Sequence, residues 1–354
     1  MAASDRLRQL KAFDDTKAGV KGLVDVGVDA VPLIFHHPPP DPHHQTAATT
    51  SACDDAIPVI DLQVQEDDGQ HDLQVAQVRA AAETVGFFQV VNHGVPGDLL
   101  AETLASVRRF NEQPAEVRRP YYTRDPARRS PATNWRDTLF LEMAALTPEE
   151  EIPPACRAAV PEYARRVREL GARLLGLLSE ALGLHAAYLP GYLDDGGGGP
   201  VVGCHYYPAC PEPSLTLGTS RHSDPSLVTV LLQDGVGGLQ VLIDDERWVD
   251  VSPVHGALVL VSNDRFKSVE HRVVAGAAAR VSVACFFRAT AASARAYGSI
   301  AAVDPPPRCW RITVAEFLGH YKDKGLDGTS ALARFRLPVG AAAAADGSPS
   351  SSNA

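Results

Sequence analysis

VTVLLQ (Val228–Gln233), GLQVLI (Gly238–Ile243), ALVLVS (Ala257–Ser262), SVEHRVV (Ser268–Val274) and VSVACFF (Val281–Phe287) follow one another through the C-terminal half of the chain. Each is a short run of apolar and β-branched residues, and turn residues separate the runs at short intervals. That rhythm predicts an antiparallel sandwich or barrel. Upstream, IPVIDL (Ile57–Leu62) and FFQVV (Phe87–Val91) also read as strands. Between and after them the apolar period changes to that of helices: Val78, Ala82 and Val85; Leu100, Leu104 and Val107; then Tyr163, Val167, Leu170, Leu174, Leu177 and Leu178, a stripe that Gly183 ends. Thr313 and Glu316 form a possible capping box for a helix through Tyr321. The expected architecture is α+β and mainly β, with helices packed on a barrel in one cooperative domain.

A chain of 354 residues, 45% of them hydrophobic, can bury a sizeable core. A net charge of -10 argues against nucleic acid as a partner. No apolar run has the length of a membrane span, and Met1–Lys21 is charged and lacks a signal-peptide core, so the expected location is the cytoplasm. The six cysteines are scattered and include no CxxC, which predicts free thiols and neither a disulfide framework nor a zinc site. Ala30–Ala56, containing FHHPPPDPHHQ, reads as an extended linker with no packed core. Its histidines, His36, His37, His43 and His44, read as a solvated group that would take up metal only adventitiously.

The chemistry concentrates in RHSDP. His222 and Asp224 are two residues apart, and on a strand such residues share a face. In KSVEHRV, Val269, His271 and Val273 share a face too, so His271 is expected to point inward. Two histidines and a carboxylate converging inside a barrel fit the facial iron(II) triad, which leaves coordination positions open. In RVS, Arg280 and Ser282 again share a face, and a buried guanidinium needs an acidic partner that this strand lacks. A dicarboxylate cosubstrate gripped by Arg280, with a hydrogen bond from Ser282, would supply it. An arginine paired to a distant carboxylate or reaching out to water is the competing reading.

Taken together, HSD, the later His and RVS resemble the pattern of plant 2-oxoglutarate/iron(II) dioxygenases. So do the flanking IPVIDL, GFFQVVNHG, HYYPACPEP, LTLGTSRHSDPSLVTVLLQD, GGLQV, SNDRFKSVEHRV and RVSVACFF. FDDTKAGVKGLVDVGV, FHHPP and NWRDTLF narrow the likeness to the clade of 1-aminocyclopropane-1-carboxylate oxidase homologues, which includes benzoxazinoid-glucoside dioxygenases. The resemblance spans roughly Leu10–Leu337. It implies a double-stranded β-helix (jelly-roll) core with N-terminal and C-terminal helices around it. The implied organisation is a partly disordered segment at 1–56, a helical N-terminal region at 57–190, the oxygenase core at 191–340 and a disordered tail at 341–354.

By motif position, the resemblance makes His222, Asp224 and His271 the iron ligands. Tyr207, Arg280 and Ser282 become the 2-oxoglutarate site, and no catalytic residue beyond the metal site is implied. Phe286 falls beside the substrate. His205 stands where relatives usually carry Asn and reads as a supporting residue. The implied cofactors are Fe(II), 2-oxoglutarate and O2, with ascorbate in support. The implied reaction is oxidation, typically hydroxylation, of a small specialised metabolite by a monomer, with release of succinate and CO2. Against the family pattern, the stretch from Gly256 to Asn263 is shorter by about one strand, and another gap follows Arg129. What survives either closes as a tighter hairpin that still delivers His271 or leaves His271 misplaced. The shortening supports an alternative reading, a catalytically impaired pseudoenzyme or small-molecule binder.

Overall fold

The computed structural model describes residues 3–37, 57–63, 68–122, 133–143, 148–193, 200–243, 247–262, 269–289, 293–300, 309–325 and 331–337. The strands that build the site are β1 (Val59–Asp61), β2 (Phe87–Val91), β3 (Asp137–Glu142), β4 (Val201–Tyr207), β5 (Leu217–His222), β6 (Val228–Gln233), β7 (Leu239–Ile243), β8 (Arg247–Asp250), β9 (Leu258–Ser262), β10 (His271–Val274) and β11 (Arg280–Phe287). They form a seven-stranded sheet, ordered β1-β2-β9-β6-β11-β4-β3, and a four-stranded sheet, ordered β5-β10-β7-β8. From β4 to β11 the chain passes back and forth between the two and leaves four strands in each, which is the jelly-roll arrangement. Every ladder in both sheets is antiparallel except β1 with β2.

The larger sheet is buried on both faces, which is why its central strands read as unbroken apolar runs. On β11, Val281, Val283, Cys285 and Phe287 turn to the helices, while Arg280, Ser282, Ala284 and Phe286 lie on the opposite face. On β4 the same alternation sends Val202, Cys204 and Tyr206 to the helices and leaves Gly203, His205 and Tyr207 for the barrel interior. A second core, including Phe87, Tyr207, Val241, Val259 and Val273, fills the space between the sheets.

The helices are α1 (Ala3–Thr16), α2 (Gly19–Asp25), α3 (Asp68–Thr84), α4 (Gly97–Asn111), α5 (Ala115–Arg118), α6 (Val160–Ala181) and α7 (Val314–Lys324). The predicted stripe of α6 is buried along its length, and Gly183 continues the chain beyond it at φ 75°. Thr313 and Glu316 form the expected reciprocal cap of α7, which runs three residues past Tyr321. Among the described residues no helix is long and apolar enough to cross a membrane.

Two expectations are corrected. The reading of Ala30–Ala56 as a linker fails at its start, because Val31, Ile34 and Phe35 are buried. Phe35 meets Trp135 edge-on with ring centroids 5.2 Å apart, and the Trp135 indole donates to the Pro208 carbonyl. His36 bonds the Val31 carbonyl and the His37 backbone N–H donates to Leu215; His43 and His44 lie outside the described residues. The second correction is to the reading in which the shortened stretch leaves His271 misplaced. Leu258–Ser262 makes one strand that pairs with β2 on one side and β6 on the other, so the ladder closes.

The region before residue 190 is continuous with the barrel, since β1, β2 and β3 extend its larger sheet. The N-terminal segment is latched to β3: half-buried Asp137 accepts hydrogen bonds from the Val20 and Lys21 backbone N–H groups at 2.7 and 2.8 Å. Gly19 has φ +70°, and a Cβ there would strike the Asp137 carboxylate.

A packing test follows from two glycines of α6. A Cβ at Gly171 would land on the Phe287 ring, whereas at Gly176 the nearest atom, the Ala186 carbonyl oxygen, is 3.6 Å away. Gly171→Ala is expected to cost about 1–3 kcal/mol through overpacking. Gly176→Ala is expected to be neutral or to stabilise by up to ~1 kcal/mol through helix propensity. Urea unfolding of both variants checks this, and equal midpoints would refute it.

Candidate metal centre and adjoining chamber

The antiparallel ladder of β5 and β10 sets His222 directly opposite His271. The register then shifts: the next pair is Val273 with Thr219, two residues on one strand against three on the other. This bulge lets Thr219 and His222, an odd number of positions apart, both serve the inner face. Asp224 lies beyond the end of β5 and not on it, so the expected i, i+2 strand geometry is replaced by a turn that swings the carboxylate back. The Asp224 Oδ1 is 3.5 Å from His222 Nε2 and 3.7 Å from His271 Nε2, and the three candidate ligand atoms lie within 4.8 Å of one another.

The imidazoles are oriented by the backbone. His222 Nδ1 is 2.8 Å from the Ser220 carbonyl oxygen and His271 Nδ1 is 3.3 Å from that of Val269. A carbonyl oxygen only accepts, so each Nδ1 carries the proton and each neutral ring offers its Nε2 lone pair to the centre. Burial, reinforced by neighbouring His222, lowers the His271 pKa to about 4 against the opposing pull of Asp224. Burial alone would raise the Asp224 carboxyl; the two histidines and a hydrogen bond from Thr229 outweigh it and hold the group below the usual carboxylate range. At neutral pH the cluster therefore holds a neutral His271 imidazole and an ionised Asp224 carboxylate, with the Nε2 of His222 turned to the same centre. That donor set suits a divalent iron with open positions.

The second cluster sits on β11 and its neighbours. Arg280 is 3% exposed; its Nη1 donates to Ser282 Oγ at 3.0 Å and its Nη2 to Gln233 Oε1 at 3.2 Å. The guanidinium lies over the Tyr207 ring, 4.9 Å from the centroid. Among the described residues no carboxylate pairs with it, and its buried Nε has no hydrogen-bond partner. An unspent buried donor on a cation is the mark of a site for an oxyanion. The Tyr207 hydroxyl is 3.2 Å from Thr219 Oγ1. Burial raises the Tyr207 pKa, but Arg280 and Arg136 together overcome this and lower it.

His205 links the two clusters. Its Nδ1 is 3.0 Å from Thr138 Oγ1, and besides burial the charges that act on it are Arg136, Arg280, Asp224 and His222. All four therefore lie around His205, in the region between the two sheets, hereafter the chamber. Phe286 lies at its apolar side, its ring 6.5 Å from that of Phe140. Sequence reasoning missed Gln233, Thr219, Thr229, Arg136 and Phe140. The signal for Gln233 was its place at the inward end of the β6 alternation; the others depend on pairings the sequence does not display.

Known proteins share this plan. Residues 198–289 match the 2OG-Fe(II) oxygenase superfamily, and residues 57–143 match the N-terminal region described as that of a non-haem dioxygenase in morphine synthesis. A 1-aminocyclopropane-1-carboxylate oxidase homolog from Solanum lycopersicum is 44% identical over 363 residues, covering 94% of this chain and 97% of that protein. Homolog 1 from Arabidopsis thaliana is also 44% identical, with 95% and 98% covered. Among solved structures, JOX2 in complex with 2OG, Fe and JA superposes with a TM-score of 0.75 at 28% identity, covering 90% of this chain and 98% of that one. The dioxygenase for auxin oxidation from rice does so with a TM-score of 0.66 at 27% identity, covering 79% and 100%.

The buried imidazole makes the metal-free protein acid-sensitive. His271 titrates near 4 when folded and near 6.5 when unfolded. Below about 6.5 the unfolded chain binds a proton that the folded chain refuses, so stability falls as the pH drops toward 4, by at most about 1.4 kcal/mol per pH unit for this group. His37 and His93, also lowered by burial, add to the slope. Urea midpoints at pH 7.5 and 5 should fall less in His271→Gln than in the parent. Parallel falls would show that another group is responsible.

Proposed function

From the premise that this chain belongs to the 2-oxoglutarate- and iron(II)-dependent oxygenases, in the group of 1-aminocyclopropane-1-carboxylate oxidase homologues, we propose that it is an active dioxygenase that oxidises a small specialised metabolite. The observation that carries the proposal is the pairing of two clusters on one chamber. One is an imidazole–imidazole–carboxylate set on one sheet; the other is a carboxylate-free arginine with an unspent donor on the facing sheet.

In this reading His222, Asp224 and His271 hold the iron. The bound iron, with O2 and 2-oxoglutarate, supplies the oxidising power for attack on a C–H bond as the cosubstrate is converted to succinate and CO2. The protein's own contribution is positional. Arg280 and Ser282 grip the distal carboxylate of 2-oxoglutarate, Gln233 fixes the guanidinium plane, and the Tyr207 ring covers its face. The Ser220 and Val269 carbonyls keep both imidazoles in the ligating tautomer. Phe286 and the solvent-exposed Phe140 form the apolar side on which a substrate body rests. Ascorbate is expected to support turnover.

The test is succinate formation by the purified, iron-loaded protein, with and without a plant-metabolite mixture. The parent is expected to produce succinate. His271→Ala should abolish both iron retention and succinate. Arg280→Ala should raise the KM for 2-oxoglutarate on the order of 10²-fold, since a charge-assisted hydrogen bond contributes about 1.5–3 kcal/mol. A folded parent that retains no iron and forms no succinate would instead support the impaired binder.

A further inference from the structure

The chamber has a second cation that the proposed reaction does not use. Arg136 immediately precedes β3, and the inward positions of that strand are marked by Thr138, bonded to His205, and Phe140, whose ring meets His205 edge-on at 6.1 Å. Leu139 and Leu141 face the helices. Arg136 therefore falls on the inward row, and its Nη1 donates to Thr219 Oγ1 at 2.8 Å, across to the smaller sheet. Its charge acts on His205, Tyr207 and His271.

Among the described residues no carboxylate lies within ion-pair distance of Arg136, and the Thr219 hydroxyl occupies one of its five donors. A half-buried guanidinium with a free fork, held beside a reaction chamber, is matched by a carboxylate. Both cations converge on the Tyr207 hydroxyl, Arg280 through Ser282 and Arg136 through Thr219, but Arg280 with Ser282 already accounts for the proposed grip on the cosubstrate, and the Arg136 fork lies at the start of the strand that carries Phe140.

Resting on the dioxygenase reading, we propose that Arg136 anchors the primary substrate and that this substrate is a small organic acid. Its carboxylate sits on Arg136 and its apolar body lies on the side of Phe140 and Phe286. Arg136 is a specificity residue: it decides which molecules are presented to the metal.

The test uses the full chain and four acids, phenylacetate, 3-phenylpropionate, cinnamate and octanoate, each paired with its methyl ester. Binding is read by calorimetry, on the metal-free protein and on protein holding manganese and 2-oxoglutarate, and succinate is measured separately on the iron-loaded protein. At least one acid is expected to bind ten-fold or more tightly than its ester. Arg136→Gln should erase that preference and Arg136→Lys should keep part of it, while the affinity for 2-oxoglutarate shifts less than two-fold in either.

Three outcomes overturn the proposal. One is a parent that prefers no acid to its ester. Another is a preference unchanged in Arg136→Gln. The third is 2-oxoglutarate binding that weakens in step with acid binding, which would put Arg136 on the cosubstrate. A folded parent that retains no iron and forms no succinate, with these probes or with the metabolite mixture, yet shows an Arg136-dependent acid preference would sink the dioxygenase reading and leave the anchor standing. Esters and acids oxidised alike, together with the first of those three outcomes, would do the reverse.

Discussion

Everything at the centre of this protein depends on the pairing of β5 with β10, which places His222 across from His271 although 49 positions separate them. The pairing is not left to one ladder. β10 is also bonded on its other side to β7, where His271 stands opposite Val241. A one-residue slip in either ladder would turn His271 out of the barrel, because side chains on a strand alternate. The apolar partners Val241, Val249 and Val273 in the interior resist that slip. The position of a polar side chain is thus enforced by the burial of valines.

The same alternation explains how one sheet can be both a hydrophobic wall and a binding surface. On β4 and β11 the helix-facing residues are apolar, and the inward residues run from Tyr207 opposite Arg280, through His205 opposite Ser282, to Gly203 opposite Ala284. Polarity therefore grades along the chamber from a charged end to an apolar one. Burying Arg280 is tolerable because Ser282, Gln233 and the Tyr207 ring solvate most of the guanidinium. What they leave unsolvated is Nε, the donor that the proposed function turns toward the cosubstrate.

The parts that were legible in the sequence rest on local periodicity. Arg280 and Ser282 share a face because they are two apart on a real strand, and the α6 stripe is buried because its spacing is helical. Asp224 shows the limit: the spacing to His222 was meaningful, but the geometry behind it was a turn beyond the strand. Bulges, such as the one that brings Thr219 inward, are properties of a pair of strands and leave no mark on either alone. Phe35 was hidden differently. Its proline-rich context reads as linker, while its burial comes from Trp135, a hundred positions downstream. Arg136 belongs to the same class, since its contact, Thr219, lies on a strand of the opposite sheet.

The shortened segment after Gly256 illustrates why comparison of lengths misleads where pairing decides. β9 belongs to the larger sheet, between β2 and β6, whereas the three candidate ligands come from the smaller sheet and the turn beyond β5. The register of β10 is fixed by His222 and Val241 from either side. Five residues of β9 suffice to close the larger sheet, and the metal-capable cluster is assembled independently of how the chain reaches it.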